Sequence, residues 1–306
     1  MSTILKISGL SKNYGALQAL KDISLEIPGG SVYGLLGPNG SGKTTMLSII
    51  LGVTKPRSGT YQWKGASPNE SSSHVSALLE KPNFLPKTRI SDQLNMIAIL
   101  RGIPPEERKL RVEEVLKQTG IAEAAGRPFR SLSLGMKQRL GIAGVLLSNP
   151  SVLVLDEPTN GLDPQGIIDI RNLIRDLAAQ GRTIILASHM LDEIEKVCTH
   201  AAILKKGELI KTEEIRRESR SKAGFVLKLG LENQPVSHII DALKSWEHSI
   251  EVEQTEGFVV AAFSPGAENA SNVNRWLSEK GIYLSEIQLH RASLESSFLK
   301  AVEDTK

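Results

Sequence analysis

A glycine-rich stretch near the N-terminus constrains this chain more than any other feature. It lies between an apolar, β-leaning run at residues 31–36 and a run with helical periodicity at residues 46–51. Its residues are Gly37, Pro38, Asn39, Gly40, Ser41, Gly42, Lys43, Thr44 and Thr45. A strand, a glycine-rich turn and a helix form the context in which the pattern G-x-x-x-x-G-K-[ST] binds phosphate. The alternative is an ordinary glycine-rich turn before a helix. The further motifs in the rest of the chain, described below, argue against it.

The residue types explain why this stretch predicts a phosphate site. Glycine lets the backbone wrap closely around an anion, so that successive N–H groups point towards it. The helix that follows adds the positive end of its dipole. We expect Lys43 to reach the β- and γ-phosphates and the hydroxyl of Thr44 to ligate Mg²⁺. The sequence therefore predicts a site for a nucleoside triphosphate and magnesium.

Length and composition exclude several classes of protein. The chain has 306 residues, of which 40% are hydrophobic, so it has room for two ordinary domains with sizeable cores. A net charge of +3 and 4% aromatic residues argue against a nucleic-acid partner. The single cysteine, Cys198, rules out a disulfide within the chain and fits a reducing compartment. Without an apolar run of spanning length, we expect a cytosolic protein that reaches a membrane through a partner.

Two acids follow an apolar run at residues 152–155. Such a run is typical of a strand that is buried on both faces of a parallel sheet. Carboxylates at its end are costly to bury without a cation or a proton. A Mg²⁺ ion near Thr44 would offset this cost for Asp156. Glu157 would then lie beside the γ-phosphate, where it can orient or deprotonate a water molecule.

Other candidate residues leave two interpretations open. His189 ends the apolar run at residues 183–188, where an open α/β sheet places its ligand crevice, although most lone histidines are structural. Tyr14 is either a packing residue or a platform for a flat aromatic ligand. Glu80 is either a surface charge or a carboxylate near the phosphates. Ser133 and Gly135 open a helix, which indicates an anion site or ordinary capping.

The remaining segments predict the architecture around these residues. Residues 91–149 are expected to be mainly helical, with Ser91 and Asp92 at a helix N-cap and an amphipathic helix at 105–118. Asp163 is expected in the N-cap region of another helix. For residues 225–306 the sequence predicts a small α+β domain with the order β-α-β-β-α-β, which suggests ferredoxin-like packing. We expect a hairpin turn near Glu256 and Gly257 in this domain and a final helix from about Ser293.

In this order, the motifs resemble those of ATP-binding subunits of ABC transporters over residues 3–215. The matching elements are the Walker A loop at 37–45, the signature at 131–139, Walker B at 152–157, the D-loop at 161–163, the H-loop at His189 and the adenine-stacking aromatic at Tyr14. The resemblance implies an α/β P-loop ATPase core at 1–218, with a RecA-like sheet, an antiparallel β subdomain and a helical subdomain at about 88–150. It also implies an accessory α+β domain at 219–306.

The resemblance implies a mechanism as well. Two copies dock head-to-tail around ATP and Mg²⁺, so that Ser133, Gly135 and Asp163 of one copy face the nucleotide of the other. Glu157 and His189 act in hydrolysis, and Thr44, Asp156 and Glu80 surround the metal. Integral membrane permease subunits use this cycle for transport, which places the chain at the cytoplasmic face of the cell membrane.

Two motifs depart from the family's commonest residues and indicate a narrower group of its members. The signature reads Leu132-Ser133-Leu134-Gly135-Met136 where LSGGQ is commonest, and Glu80 replaces the usual glutamine. Both features look most like the exporters of bacitracin resistance and lantibiotic immunity, which implies export of antimicrobial peptides, antibiotics or lipid-linked compounds. We expect the apolar stretch at 81–90 to be exposed and to receive a permease helix. The alternatives are a soluble ABC ATPase acting on ribosomes or nucleic acid and a module that binds ATP without hydrolysing it.

Overall fold

The computed structural model describes residues 2–64, 74–79, 82–215, 225–231, 235–255 and 258–290. The chain divides into two compact units, residues 1–215 and 216–306, which are described separately below. In the described ranges, no helix combines the length and the apolar character needed to cross a bilayer.

The first unit alternates strands and helices. Its strands are β1 (Thr3–Tyr14), β2 (Leu17–Pro28), β3 (Val32–Leu36), β4 (Ser58–Trp63), β5 (Val75–Leu78), β6 (Val152–Asp156), β7 (Thr183–Ser188), β8 (His200–Lys205) and β9 (Glu208–Glu214). Its α-helices are α1 (Lys43–Ile50), α2 (Ile90–Leu100), α3 (Pro105–Gln118), α4 (Leu134–Leu146), α5 (Pro164–Ala179) and α6 (Leu191–Val197).

Two sheets organise this unit. Strands β2, β1 and β4 form an antiparallel sheet, whereas the larger sheet has the order β5-β6-β7-β3-β8-β9. Neighbours in the larger sheet pair in parallel, except that β9 runs antiparallel to β8. Every residue of β3, β6 and β7 is buried, as expected of apolar strands covered on both faces. The buried strands predicted from the apolar runs at 152–155 and 183–188 are therefore confirmed.

Helix α6 packs closely against β3 because Gly34 has no side chain. A Cβ atom at Gly34 would lie 2.7 Å from Cγ2 of Ile194 and 3.0 Å from Sγ of Cys198. Cys198 itself is fully buried, as expected of a small apolar residue. This contact fixes the helix that follows His189 onto the strand that leads into the glycine-rich loop.

We expect Gly34→Ala to lower the free energy of unfolding of the first unit by about 1–3 kcal/mol, because the added methyl group overpacks this contact. Gly126→Ala is the matched control, since a Cβ there has no other heavy atom within 4 Å. We expect the control to change the free energy by less than about 0.5 kcal/mol. Urea titration of both variants measures the difference, and equal stabilities would contradict the proposed close packing.

The start of α2 differs from its prediction. The helix begins at Ile90, so Ser91 and Asp92 lie in its first turn and the predicted N-cap there is wrong. The reason is tertiary: the backbone N–H groups of Ile90 and Ser91 donate to the carbonyls of Arg127 (3.1 Å) and Ala125 (3.1 Å). A neighbouring loop therefore satisfies donors that a capping side chain would otherwise satisfy. The helix predicted at 105–118 is confirmed by α3.

The apolar stretch before α2 is only partly exposed. Pro82 packs on α4, where its Cγ would lie 2.9 Å from a Cβ added at Gly141. The ring of Phe84 has its centroid 5.3 Å from that of Phe129. The expected exposure is therefore wrong for Pro82 and Phe84, because the helical subdomain buries part of both, whereas Leu85 is 56% exposed.

The second unit has the order β-α-β-β-α-β in its described part. Its elements are β10 (Val226–Leu231), α7 (Val236–Lys244), β11 (Ser249–Thr255), β12 (Phe258–Phe263), α8 (Ala270–Glu279) and β13 (Leu284–His290). The strands form an antiparallel sheet in the order β11-β12-β10-β13. Residues such as Leu227, Phe263 and Leu277 form its core. The helix predicted from about Ser293 and the turn predicted at residues 256–257 lie outside the described residues.

Candidate nucleotide-binding site

The glycine-rich loop and the predicted residues Asp156, Glu157 and His189 converge at the carboxyl ends of three adjacent strands. The glycine-rich loop connects β3 to α1, Asp156 ends β6, and His189 follows β7. Because β6, β7 and β3 are neighbours in a parallel sheet, their carboxyl ends lie at the same edge. This is the edge at which open α/β sheets bind ligands.

Gly42 shows why the loop needs glycine. It adopts φ 105°, and a Cβ there would lie 2.7 Å from both the carbonyl oxygen of Ala19 and Cδ2 of Leu20. Gly42 is also the N-cap of α1 and provides no side-chain cap. The N–H groups in the first turn of a helix have no acceptors within the helix, so they are suited to an anion at this end.

Ser41 provides a direct test of whether the loop fits a phosphate. Its hydroxyl is buried and, within the described part of the chain, makes no hydrogen bond. Its carbonyl accepts the N–H of Gly207 at 3.1 Å, which holds the backbone in place. A buried hydroxyl donor beside a helix N-terminus suits an anionic ligand, so the residues present fit a phosphate group.

Lys43 brings a buried positive charge to the loop. It is 5% exposed, and its Nζ donates to the carbonyls of Gly37 (2.6 Å) and Pro38 (3.2 Å). The same Nζ lies 3.6 Å from Oε1 of Glu157. Burial lowers the pKa of Lys43 from its usual value, while Glu157 and Asp156 oppose that shift. The ammonium group is therefore held at the loop by carbonyls and neighbouring carboxylates.

Thr44 and Asp156 meet across the site. The hydroxyl Oγ1 of Thr44 donates to Oδ2 of Asp156 at 2.7 Å. A hydroxyl and a carboxylate oxygen are the hard donors that Mg²⁺ prefers, and the ion usually adds water and substrate phosphates to one or two such ligands. These two residues fit the predicted metal site. Glu80, the third predicted metal residue, lies outside the described residues.

Glu157 and His189 form the second polar pair of the site. Nδ1 of His189 lies 2.8 Å from Oε2 of Glu157. Glu157 has φ 48°, a left-handed conformation that is costly for a residue with a side chain. Its side chain is 20% exposed, compared with 38% for His189. The backbone thus turns immediately after Asp156 and leaves the Glu157 carboxylate between Lys43 and His189.

Sequence reasoning missed the contribution of Ser188. Its carbonyl accepts the N–H of Gly37 at 3.3 Å, which joins the residue before His189 to the first glycine of the loop. Ser188 is fully buried. A small polar residue at the carboxyl end of an apolar strand was the available signal, since such a position faces the crevice of an open α/β sheet.

Several positions of the loop are open to solvent. Pro38, Asn39, Gly40 and Thr44 are exposed, and Thr45 is half-buried.

Tyr14 is 50% exposed, with Nζ of Lys12 5.1 Å from its ring centroid, so it is not a core residue. It pairs with Leu17, at the start of the strand whose Ala19 and Leu20 contact Gly42. An exposed ring on this strand pair is compatible with stacking on a flat ligand.

Ser133 and Asp163 cap helices within the chain. Oγ of Ser133 accepts the N–H of Met136 at 3.2 Å, and Oδ1 of Asp163 accepts the N–H of Gly166 at 3.0 Å. An added Cβ at Gly135 would have open space around it. The capping interpretation thus describes their contacts in one chain, and their role towards a second copy stays a prediction.

Comparison with known proteins places these motifs in context. A family model described as ABC transporter matches residues 20–160. The bacitracin transport ATP-binding protein BcrA of Bacillus licheniformis is 35% identical over 308 residues, which cover 99% of this chain and 98% of the relative. The lantibiotic transport ATP-binding protein SrtF of Streptococcus pyogenes is 34% identical over 212 residues, which cover 69% and 91%.

A solved structure resembles the fold as well. The dimeric post-hydrolysis state of the ATP-binding cassette MJ0796, bound to ADP and Pi, has a TM-score of 0.62 and 27% sequence identity. The similarity covers 70% of this chain and 99% of that chain.

Proposed function

This chain belongs to the family of ABC transporter ATP-binding proteins, and we propose that it hydrolyses ATP to power a membrane exporter. The family rests on 35% identity to BcrA over nearly the whole of both chains. The predicted resemblance, including its relation to bacitracin and lantibiotic transport proteins, is confirmed. The predicted ABC ATPase fold is confirmed by its likeness to a solved ATP-binding cassette.

The observation that supports hydrolysis best is the convergence of Lys43, Glu157 and His189. A carboxylate lies between an ammonium group and an imidazole, at 3.6 Å and 2.8 Å respectively. We assign Glu157 to orient the attacking water and accept its proton, and His189 to hold that carboxylate in position. A module that binds ATP without hydrolysing it would not require a carboxylate and an imidazole placed together in this way.

The loop residues bind the phosphates in this proposal. Backbone N–H groups at the start of α1, the Ser41 hydroxyl and Lys43 stabilise the negative charge that develops during phosphoryl transfer. Thr44 and Asp156 hold Mg²⁺, which supplies Lewis-acid neutralisation of the phosphate oxygens when it is bound. Tyr14 stacks on the adenine ring.

A second copy completes the site. Ser133, Gly135 and Asp163 lie at helix starts, and we propose that the α4 start of one copy faces the γ-phosphate bound by the other. The dimeric state of the related MJ0796 cassette supports such an arrangement. ATP binding then closes the dimer, and hydrolysis allows it to reopen.

An apolar patch on α2 is the proposed contact with the permease. Met96, Ile99 and Leu100 are 46%, 48% and 85% exposed, and their spacing places them on one face of the helix. Leu85 is also exposed, and its N–H joins it to the first half of α2 by donating to Oε1 of Gln93 at 2.6 Å. We call these four residues the α2 patch. A patch of this kind suits an apolar helix of a membrane subunit.

The test is purification of the chain from membranes and identification of the integral membrane subunits that co-purify with it. We expect co-purification and an ATPase activity that the permease stimulates. Leu100→Glu should reduce recovery of the complex at least about tenfold while nucleotide binding stays unchanged, because the charge disrupts a buried apolar contact. Leu110→Glu is the control, since Leu110 is 62% exposed on α3, outside the α2 patch. Full recovery of the Leu100→Glu complex would refute the patch, and failure of the unsubstituted chain to co-purify would refute the transport role.

A further inference from the structure

Helix α6 carries a buried carboxylate that the proposed chemistry does not use. Glu193 is 1% exposed, although glutamate is almost never fully buried unless its charge has partners. Its Oε1 is buried without a hydrogen-bond partner in the part of the chain that the structure describes. Keeping this group in the interior is costly, so the hydrogen bond that its side chain makes among the described residues calls for a functional explanation.

That bond reaches the residue immediately before His189. Oγ of Ser188 donates to Oε2 of Glu193 at 2.9 Å, and the same Oγ accepts the N–H of Met190 at 3.0 Å. The N–H of Glu193 donates to the carbonyl of Met190 at 3.2 Å. These contacts close a ring around residues 188–190, and His189 is the central residue of that segment.

The same ring meets the two halves of the site. The carbonyl of Ser188 accepts the N–H of Gly37 (3.3 Å), and the side chain of His189 contacts Glu157 (2.8 Å). Because a hydroxyl has a single proton, donation to Glu193 directs an Oγ lone pair to the Met190 N–H. Glu193 therefore holds the Ser188 hydroxyl in the orientation that accepts the Met190 N–H, within the turn that carries His189.

We propose that Glu193 is a positioning residue for His189: through the Ser188 hydroxyl it holds the imidazole against Glu157. The inference rests on the proposed hydrolytic role of Glu157 and His189. The neighbouring acid Asp192 has different partners: its carboxylate forms ion pairs with Arg171 (2.8 Å) and Lys196 (2.7 Å) rather than a hydrogen bond with Ser188. Asp192 thus serves as a matched control on the same helix.

The experiment is a double-mutant cycle in the purified full-length chain. Glu193→Ala should lower kcat of the ATPase about 10- to 100-fold, because a small displacement of a catalytic group is costly, while the Kd for ATP changes by less than about threefold. In a His189→Ala background the same substitution should have no further effect on kcat. Glu193→Gln, which keeps an acceptor for the Ser188 hydroxyl, should restore most of the activity. Asp192→Asn should match the parent chain.

The outcomes separate this inference from the proposed function. A full additional loss in the His189→Ala background, or an unchanged kcat in Glu193→Ala, overturns the role of Glu193. Normal turnover in His189→Ala alone overturns the proposed role of His189 and the inference with it. If Glu193→Ala does not fold, Ser188→Ala removes the same hydrogen bond with a smaller change in volume, and it should show the same dependence on His189.

Discussion

Replacing Glu157 with glutamine is expected to lower the rate of ATP hydrolysis by about 100- to 10,000-fold, the usual contribution of a general base. The amide retains the size of the side chain and an oxygen that can accept from His189, but it accepts a water proton poorly. Nucleotide binding should persist, since the phosphate contacts come from the loop and the start of α1. Steady-state ATPase assays and binding of a fluorescent ATP analogue measure the two effects separately.

The variant should also accumulate as an ATP-bound dimer, because closure no longer ends in hydrolysis. Size-exclusion chromatography with and without Mg-ATP detects this species. Glu26→Gln is the control, since Glu26 is an exposed acid paired with Lys6 at 2.8 Å. Turnover near that of the unsubstituted chain in Glu157→Gln would show that another group activates the water.

The position of Glu157 explains why so conservative a change should be so damaging. Its backbone at φ 48° turns the chain directly after a buried strand, and its two oxygens face different partners, Lys43 and His189. A strained backbone that persists at a cluster of charged groups is a frequent property of catalytic sites. Because the backbone sets the direction of this side chain, another residue cannot readily replace its carboxylate.

Much of the fold follows from local patterns in the sequence. Apolar runs predict β6 and β7 because strands buried on both faces contain almost no polar residues. The acids and the histidine that follow these runs can be predicted as site residues for the same reason, because a polar residue directly after an apolar run stands out in the sequence. The glycine-rich loop can also be recognised in the sequence. Gly42 has a backbone conformation and a close contact that exclude larger residues, so this position requires a glycine.

Features that depend on distant contacts could not be predicted in this way. The start of α2 depends on carbonyls of Ala125 and Arg127, which lie far from it in sequence. In the sequence Phe84 looks like an exposed apolar residue of a loop, whereas in the structure its ring packs against Phe129 of the helical subdomain. Glu193 resembles a solvent-facing helix residue, since nothing in a single sequence shows that α6 turns this side chain towards Ser188.

Lys43→Ala is expected to weaken ATP binding about 10- to 100-fold and to abolish most hydrolysis. A hydrogen bond to a charged group contributes about 1.5–3 kcal/mol, and 1.4 kcal/mol corresponds to a factor of ten in affinity. The loss should be large because Lys43 lies 5% exposed at the loop, where water screens its charge poorly. Isothermal titration with ATP and steady-state ATPase assays measure both effects.

Thermal unfolding distinguishes lost binding from lost structure. In the unsubstituted chain, ATP at about 100 times its Kd should stabilise the fold by about 2.7 kcal/mol, and Lys43→Ala should lose about 1.3–2.3 kcal/mol of that stabilisation at the same ATP concentration. Lys6→Ala is the control, because it removes one positive charge from an exposed ion pair with Glu26. Lys43 also donates to the carbonyls of Gly37 and Pro38, so a modest loss of stability without ATP is expected in the variant. Undiminished stabilisation by ATP in a folded Lys43→Ala chain would show that the ammonium group does not bind the phosphates, and the assignment of the glycine-rich loop would fail.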